Sequence, residues 1–162
     1  MLIRDFASRD VAHACALSNH YINHTAVHFG LNPYSDQEFA ASWAEDCTKY
    51  PWLAAEIDSA FAGFAKASRW REREAYQFTA EVGLYVKDAF HRRGVGRALY
   101  SELFDRLRAR GFHTAVAGIT MPNEASVRLH ESLGFQRVGV FREVGRKFGK
   151  WHDTGWWQLM LT

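Results

Sequence analysis

Gly94 and Gly96 stand one residue apart in Leu84-Tyr85-Val86-Lys87-Asp88-Ala89-Phe90-His91-Arg92-Arg93-Gly94-Val95-Gly96-Arg97, where a β-like apolar run gives way to a helical one. Glycine lacks Cβ, so successive N–H groups there can converge on a phosphate oxygen. The helix N-terminus adds roughly half a positive charge. Arg92, Arg93 and Arg97 would add charge-assisted contacts. The chemistry suggested is the gripping of a diphosphate. The segment lacks the Gly-Lys-Ser/Thr of a Walker loop and the Gly-x-Gly-x-x-Gly of a dinucleotide fold. No aromatics interleave the arginines, which argues against nucleic acid. Taken alone, the pattern also fits a plain basic helix start.

Two other patterns invite chemistry and are discounted. His20, His24 and His28 recur every four residues, as a metal stripe would. Thr25, Val27 and Gly30 end that helix, and no carboxylate or cysteine completes a ligand set, so no metal is expected. Trp151, Trp156 and Trp157 read as core or dimer contact rather than a ligand cage.

The elements that must position these residues follow from periodicity. Leu2-Ile3-Arg4 is a short strand, and Ser8 reads as the N-cap of a helix turning Val11, Cys15 and Tyr21 inward. Ser35-Asp36-Gln37-Glu38 fits a capping box, followed by a helix through Phe39, Trp43, Cys47 and Tyr50 up to Pro51. Leu53 to Ile57 and Phe61 to Ala67 are strands joined at Asp58-Ser59, and a charged loop then leads to a β run from Tyr76 to Val86. Gly94 to Arg110 is a helix with Leu99, Leu103 and Leu107 on one stripe. His113 to Thr120 is a strand, Asn123 to Leu133 a helix, and two strands around a basic, glycine-containing loop finish the chain. The order βααβββαβαββ is that of a mixed α/β or α+β sheet domain.

Composition agrees with one globular domain over 1–162. The chain is 48% apolar and 23% charged, with a formal charge of +2. That balance gives no strong field for nucleic acid or an anionic membrane, and no apolar run approaches the ~20 residues of a membrane span. The N-terminus has no secretory h-region, and Cys15 and Cys47 read as buried apolar residues of a reducing compartment. A cytoplasmic location is expected.

Thirty residues past the glycines comes Asn123-Glu124-Ala125-Ser126-Val127-Arg128-Leu129-His130-Glu131-Ser132-Leu133-Gly134-Phe135. Together the two segments resemble the GCN5-related N-acetyltransferase (GNAT) superfamily, in which Arg/Gln-x-x-Gly-x-Gly/Ala precedes an Asn-x-x-(Ala/Ser) helix. His91 departs from the usual Arg or Gln, at a position that acts largely through its backbone. Ser18-Asn19-His20-Tyr21-Ile22, Tyr50-Pro51-Trp52-Leu53, Trp70-Arg71-Glu72-Arg73-Glu74-Ala75-Tyr76 and Lys147-Phe148-Gly149-Lys150-Trp151-His152-Asp153 are further similar to the phosphinothricin and methionine-sulfoximine N-acetyltransferases.

The resemblance implies a twisted, mostly antiparallel sheet with splayed central strands, a homodimer, and acetyl-CoA as cosubstrate. Pantetheine contacts map to Leu84, Tyr85 and Val86, and the pyrophosphate to Arg92, Arg93, Gly94, Val95, Gly96 and Arg97. Asn123 reaches back toward the pantetheine; it shares one helix face with His130, two turns on. Glu81 falls at the family's catalytic glutamate, a general base for an amine that is protonated at neutral pH, although a glutamate in a β run also fits a solvent face. His130 stands where many members carry a proton-donating tyrosine, and acid, second base, pocket wall and packed histidine all remain open. The oxyanion falls to a backbone N–H near Tyr85 or Val86. Phe29, Arg71, Arg73, Tyr76, Val82 and Gly83 map to the acceptor; paired arginines suit its oxyanions, although the sign-alternating stretch around them also fits a charged loop. The implied reaction acetylates a small amino-acid analogue. A polyamine or protein N-terminus as acceptor, and a non-catalytic CoA-binding module, are the alternatives.

Overall fold

The computed structural model describes residues Met1–Thr162. The strands are β1 (Leu2–Asp5), β2 (Trp52–Ile57), β3 (Ala60–Arg69), β4 (Thr79–Val86), β5 (Thr114–Thr120), β6 (Gln136–Lys147) and β7 (Lys150–Met160). The helices are α1 (Val11–His24), α2 (Asp36–Asp46), α3 (Val95–Ala109) and α4 (Glu124–Ser132), so the element order is the one expected. One seven-stranded sheet runs β1-β2-β3-β4-β5-β7-β6. All its pairings are antiparallel except β4 with β5.

That exception positions the site. The parallel ladder holds only Thr79↔Thr114, Ala80↔Ala115 and Glu81↔Val116. Beyond Glu81, β4 stays with β3 as far as Val86↔Gly63, while β5 stays with β7 as far as Thr120↔Thr154. The two central strands therefore part like a V.

Each face of the sheet buries its own core, because alternate strand residues point to opposite sides. Leu53, Ala65 and Val82 meet Leu99, Leu103 and Leu107 of α3 on one face. Trp52 and Phe64 meet Val11 and Ala14 of α1 and Phe39 of α2 on the other. The capping box forms as read: Ser35 Oγ accepts from Glu38 N at 3.1 Å, and Glu38 Oε2 from Ser35 N at 2.8 Å. Asp58 and Ser59 take φ of 51° and 65°, the left-handed pair of a tight hairpin turn.

Several expectations are corrected. Ser8 does not cap α1; it lies in a 3₁₀ turn, Ser8–Asp10, and the helix starts at Val11. The Asp10 carboxylate takes the Ala7 amide at 2.9 Å and is itself gripped by Arg4 at 2.7 and 2.8 Å. Asp10 therefore ties down the turn that precedes the helix, and its side chain makes no capping bond to the first amides of α1. Helix α2 ends at Asp46, and Tyr50 lies beyond it, packed on Phe112 at 5.5 Å. A 3₁₀ turn, Glu74–Tyr76, delays β4 to Thr79. Cys15 is buried, its thiol pushed up to about 11 by desolvation, but Cys47 is half-exposed. Trp157 is core, Trp151 is 59% exposed, and Trp156 lies in a cavity wall.

Candidate active site

The V opens a cavity of about 660 Å³ on the α3 side. Its walls are Val82–Val86 of β4, Ala117–Thr120 of β5, the start of α3, and Asn123, Ser126, Leu129 and His130 of α4. Adjacent pairs in an antiparallel ladder alternate between bonded and unbonded. Lys87 N donates to Ala62 O at 2.9 Å, so the next pair, Gly63↔Val86, turns its polar groups outward. The Val86 N–H therefore faces the opening, whereas Tyr85 N–H faces Phe64. Of the two amides considered for an oxyanion, only that of Val86 is free to serve. The Val86 carbonyl, on the same side, accepts from Tyr21 Oη at 3.2 Å and from His91 Nε2 at 2.9 Å. His91 thus acts through its ring as well as its backbone, folding the loop back on the strand.

The glycines divide their labour. Gly94 has φ +79°, a left-handed turn that an L side chain would strain, and Arg92 two residues earlier has φ +58°. Gly96 instead permits close packing: a Cβ there would stand 3.1 Å from Leu129 Cδ2 of α4. Arg92 and Arg97 line the cavity. Arg97 is tied to Ser132 Oγ at 2.8 Å. Arg93 is absent from the lining, its guanidinium lying over Phe90 at 5.4 Å.

On α4, Asn123 caps the helix by accepting from Ser126 N at 3.2 Å, leaving its amide NH₂ free toward the cavity. His130 is buried, with Nδ1 2.7 Å from the Ser126 carbonyl and Nε2 3.1 Å from Tyr100 Oη. A carbonyl only accepts, so Nδ1 carries the proton and Nε2 accepts from Tyr100. Burial pushes the His130 pKa below its ordinary value. Both nitrogens are engaged by the protein.

Glu81 points to the other face of the sheet. There a second cavity of about 570 Å³ is lined by Glu81, His28, Phe29, Arg71, Tyr85, Phe141, Val144, Thr154 and Trp156. Burial raises the Glu81 pKa, while the Lys66 and Arg71 charges hold it down. Lys66 lies opposite Gly83 on β3, diagonal to Glu81 on the same face. His28 stacks on Tyr85 at 5.8 Å and is pushed down to about 4, chiefly by burial. The two cavities share Val27, Tyr85, Gly118 and Thr120, so they meet across the crack between the strands.

The expected acceptor residues divide. Phe29 and Arg71 join Glu81, whereas Val82 and Gly83 line the first cavity. Arg73 and Tyr76 line a third, of about 540 Å³, together with Trp70, Arg71 and Glu72. Arg71 is common to the second and third cavities. His28, read only as part of a discounted metal stripe, Trp156, read as core or dimer contact, and Tyr21, read as a core residue of α1, belong to the cavity walls, as do Phe141, Val144 and Tyr100, which the sequence did not single out. Gly118 was the available signal for one of them, since a Cβ there would touch the Trp156 indole at 3.2 Å.

Residues 17–135 match the model of the acetyltransferase (GNAT) family. The chain belongs to this family, and it is an acetyltransferase. It is 42% identical over 156 residues to a phosphinothricin N-acetyltransferase of Streptomyces viridochromogenes, covering 96% of this chain and 85% of that protein. It is 37% identical to an L-methionine sulfoximine/L-methionine sulfone acetyltransferase of Salmonella typhimurium, with 99% and 95% covered. A GNAT superfamily phosphinothricin acetyltransferase from Sinorhizobium meliloti, solved in complex with AcCoA, superimposes with a TM-score of 0.95 at 30% identity, covering 98% of this chain and 87% of that one. The splayed strands and the glycine turn are thus a GNAT scaffold. No helix is long and apolar enough to cross a membrane, and no group of three His, Cys, Asp or Glu side chains is placed to hold a metal ion.

Proposed function

We propose that this GNAT enzyme, as one catalytic domain, moves the acetyl group of acetyl-CoA onto the α-amine of a small amino-acid analogue of the phosphinothricin or methionine-sulfoximine kind. One observation carries the reading: a cavity floored by free backbone amides and a glycine turn meets, through the β4–β5 crack, a second cavity holding half-buried Glu81 beside Arg71. The relatives named above act on such analogues by their names, and AcCoA accompanies one of them in its structure.

The thioester would lie along Leu84–Val86, with its diphosphate at Arg92, Gly94–Gly96 and Arg97 and its pantetheine near the Asn123 amide. Arg71 receives the acceptor carboxylate or its tetrahedral oxygen group. Glu81 takes the ammonium proton, and the freed lone pair attacks the carbonyl carbon. The C–N bond forms, the C–S bond breaks, sulfur departs with its electron pair, and the second proton shed by the acylated nitrogen goes to the thiolate or to water. The Val86 N–H holds the negative oxygen meanwhile. A CoA thiol of ordinary pKa near ~8.5 leaves with little help at pH 7. His130, with both nitrogens engaged, therefore serves as a wall that orients Tyr100 rather than as the acid.

Exposed Val138, Phe141, Val144, Phe148 and Trp151 on β6, β7 and their turn support a homodimer through this hairpin. The free cysteines support a reducing, cytoplasmic setting. The test is thiol release from acetyl-CoA against a panel of amino acids and polyamines. Turnover with phosphinothricin or methionine sulfoximine and none with spermidine is expected. No heat on titrating CoA, or a preference for polyamines, overturns the reading.

A further inference from the structure

We infer that Gly145 and Lys147 of β6 set the depth of the acceptor pocket by seating the loop that carries Phe29. The inference rests on the acceptor assignment above and deepens it into a statement about selectivity.

Strand β6 is bulged beside the pocket. Its register on β7 jumps between Phe141 and Gly145, Glu143 turns at φ +49°, and Glu143 N donates to Asp153 Oδ1 at 2.8 Å. Bulges beside active sites re-aim side chains, and this one sends both Phe141 and Val144 to the cavity. Regular pairing resumes at Gly145↔His152.

At Gly145 the Phe29 ring lies on bare backbone. A Cβ built there would be 2.3 Å from Phe29 Cε2 and 2.6 Å from Cζ. Ordinary carbon contacts need about 3.5 Å or more, so any side chain drives the ring back by about an ångström. Two residues on, along the same strand face, the buried Lys147 donates from Nζ to the His28 carbonyl at 2.5 Å. Consecutive loop residues are thus held by alternate hairpin residues. Phe29 has the hairpin behind it and the cavity with Glu81 and Arg71 in front. A push from behind moves the ring toward the acceptor's side chain.

The experiment compares kcat/KM for methionine sulfone and for ethionine sulfone, one methylene longer. In a tight pocket one methylene changes kcat/KM about tenfold or more, and Gly145→Ala should shift the ratio by that much against the longer acceptor. The KM for acetyl-CoA should stay put. The new methyl meets the end of a flexible ring rather than backbone, so the fold survives. Gly145→Ala combined with Phe29→Leu should restore the parent ratio. Lys147→Met should raise KM for both acceptors more than it lowers kcat. An unchanged ratio, a shift favouring the longer acceptor, or a double variant without recovery overturns the inference. A crystal structure of Gly145→Ala gives a readout independent of acceptor: an unmoved Phe29 ring also overturns it. A moved ring in a chain whose parent acetylates neither sulfone would sink the acceptor assignment and leave the seat standing.

Discussion

The cavity on the α3 side takes its shape from main chain, from two strands that part after Glu81↔Val116 and from a left-handed turn at Gly94. The cavity on the α1–α2 side takes its shape from side chains that arrive from the α1–α2 loop, the β3–β4 connection, β4, β5, β6 and β7 and close over one carboxylate. The difference teaches where selectivity resides. A backbone site accepts any ligand with the same diphosphate and amide pattern, so it suits a cosubstrate common to a family. A side-chain site can be recut one residue at a time, so it suits the variable partner.

The largest effect expected breaks the chemistry without touching the first cavity. Glu81→Gln should lose about two to four orders of magnitude in kcat/KM, the usual yield of acid–base catalysis. Calorimetry should still show CoA binding. An unchanged rate would remove Glu81 from the mechanism and reduce the second cavity to a cleft. Next in size is the reverse lesion. Gly96→Val pushes a side chain into Leu129, and overpacking of about 1–3 kcal/mol should raise the KM for acetyl-CoA about tenfold or more while sparing the acceptor KM. Equal rises in both constants would mean the two cavities are one.

Arg71 lines both acceptor-side cavities and Arg73 only the outer one, so the two arginines should separate. Arg71→Ala should raise the acceptor KM about tenfold, the yield of a charge-assisted hydrogen bond of about 1.5–3 kcal/mol. Arg73→Ala should raise it less, with neither touching the KM for acetyl-CoA.

The smallest effects are in pH. Desolvation raises Glu81, so the acidic limb of kcat/KM should lie above the ordinary carboxylate value of 4.5. Lys66→Met removes a cation that holds it down and should move the limb further up. His28 is lowered from 6.5 to about 4. Between those values the unfolded chain binds a proton that the native one refuses, so stability falls as pH drops. The melting temperature at pH 5 should sit roughly a few degrees below that at pH 7, and His28→Asn should narrow the gap.

The same contrast explains what the sequence made legible. Gly94, Asn123 and the Ser35–Glu38 box act through nearby backbone, and local action leaves local spacing. The α3 stripe of Leu99, Leu103 and Leu107 was readable for the same reason. Trp156 over Gly118, His28 on Tyr85 and the bulge aiming Phe141 arise from elements far apart in sequence, and no window along the chain contains both partners. Arg93 shows the limit from the other side: the pattern placed it among phosphate arginines, but orientation is set by Phe90, where its guanidinium finds a ring. Ser8 failed similarly, because the Arg4 fork that supports Asp10 comes from a different element.

The brevity of the β4–β5 ladder has a thermodynamic corollary. Three residue pairs are all that stitch the β1–β4 half of the sheet to the β5–β7–β6 half within the hydrogen-bonded layer. A bound acetyl-CoA whose pantetheine met the free N–H of Val86 would extend that seam, so occupancy and rigidity rise together. Amide exchange along β4 and β5 should slow on loading, and the midpoint of thermal unfolding should climb with the logarithm of ligand concentration. An empty enzyme is softest along the line where it works.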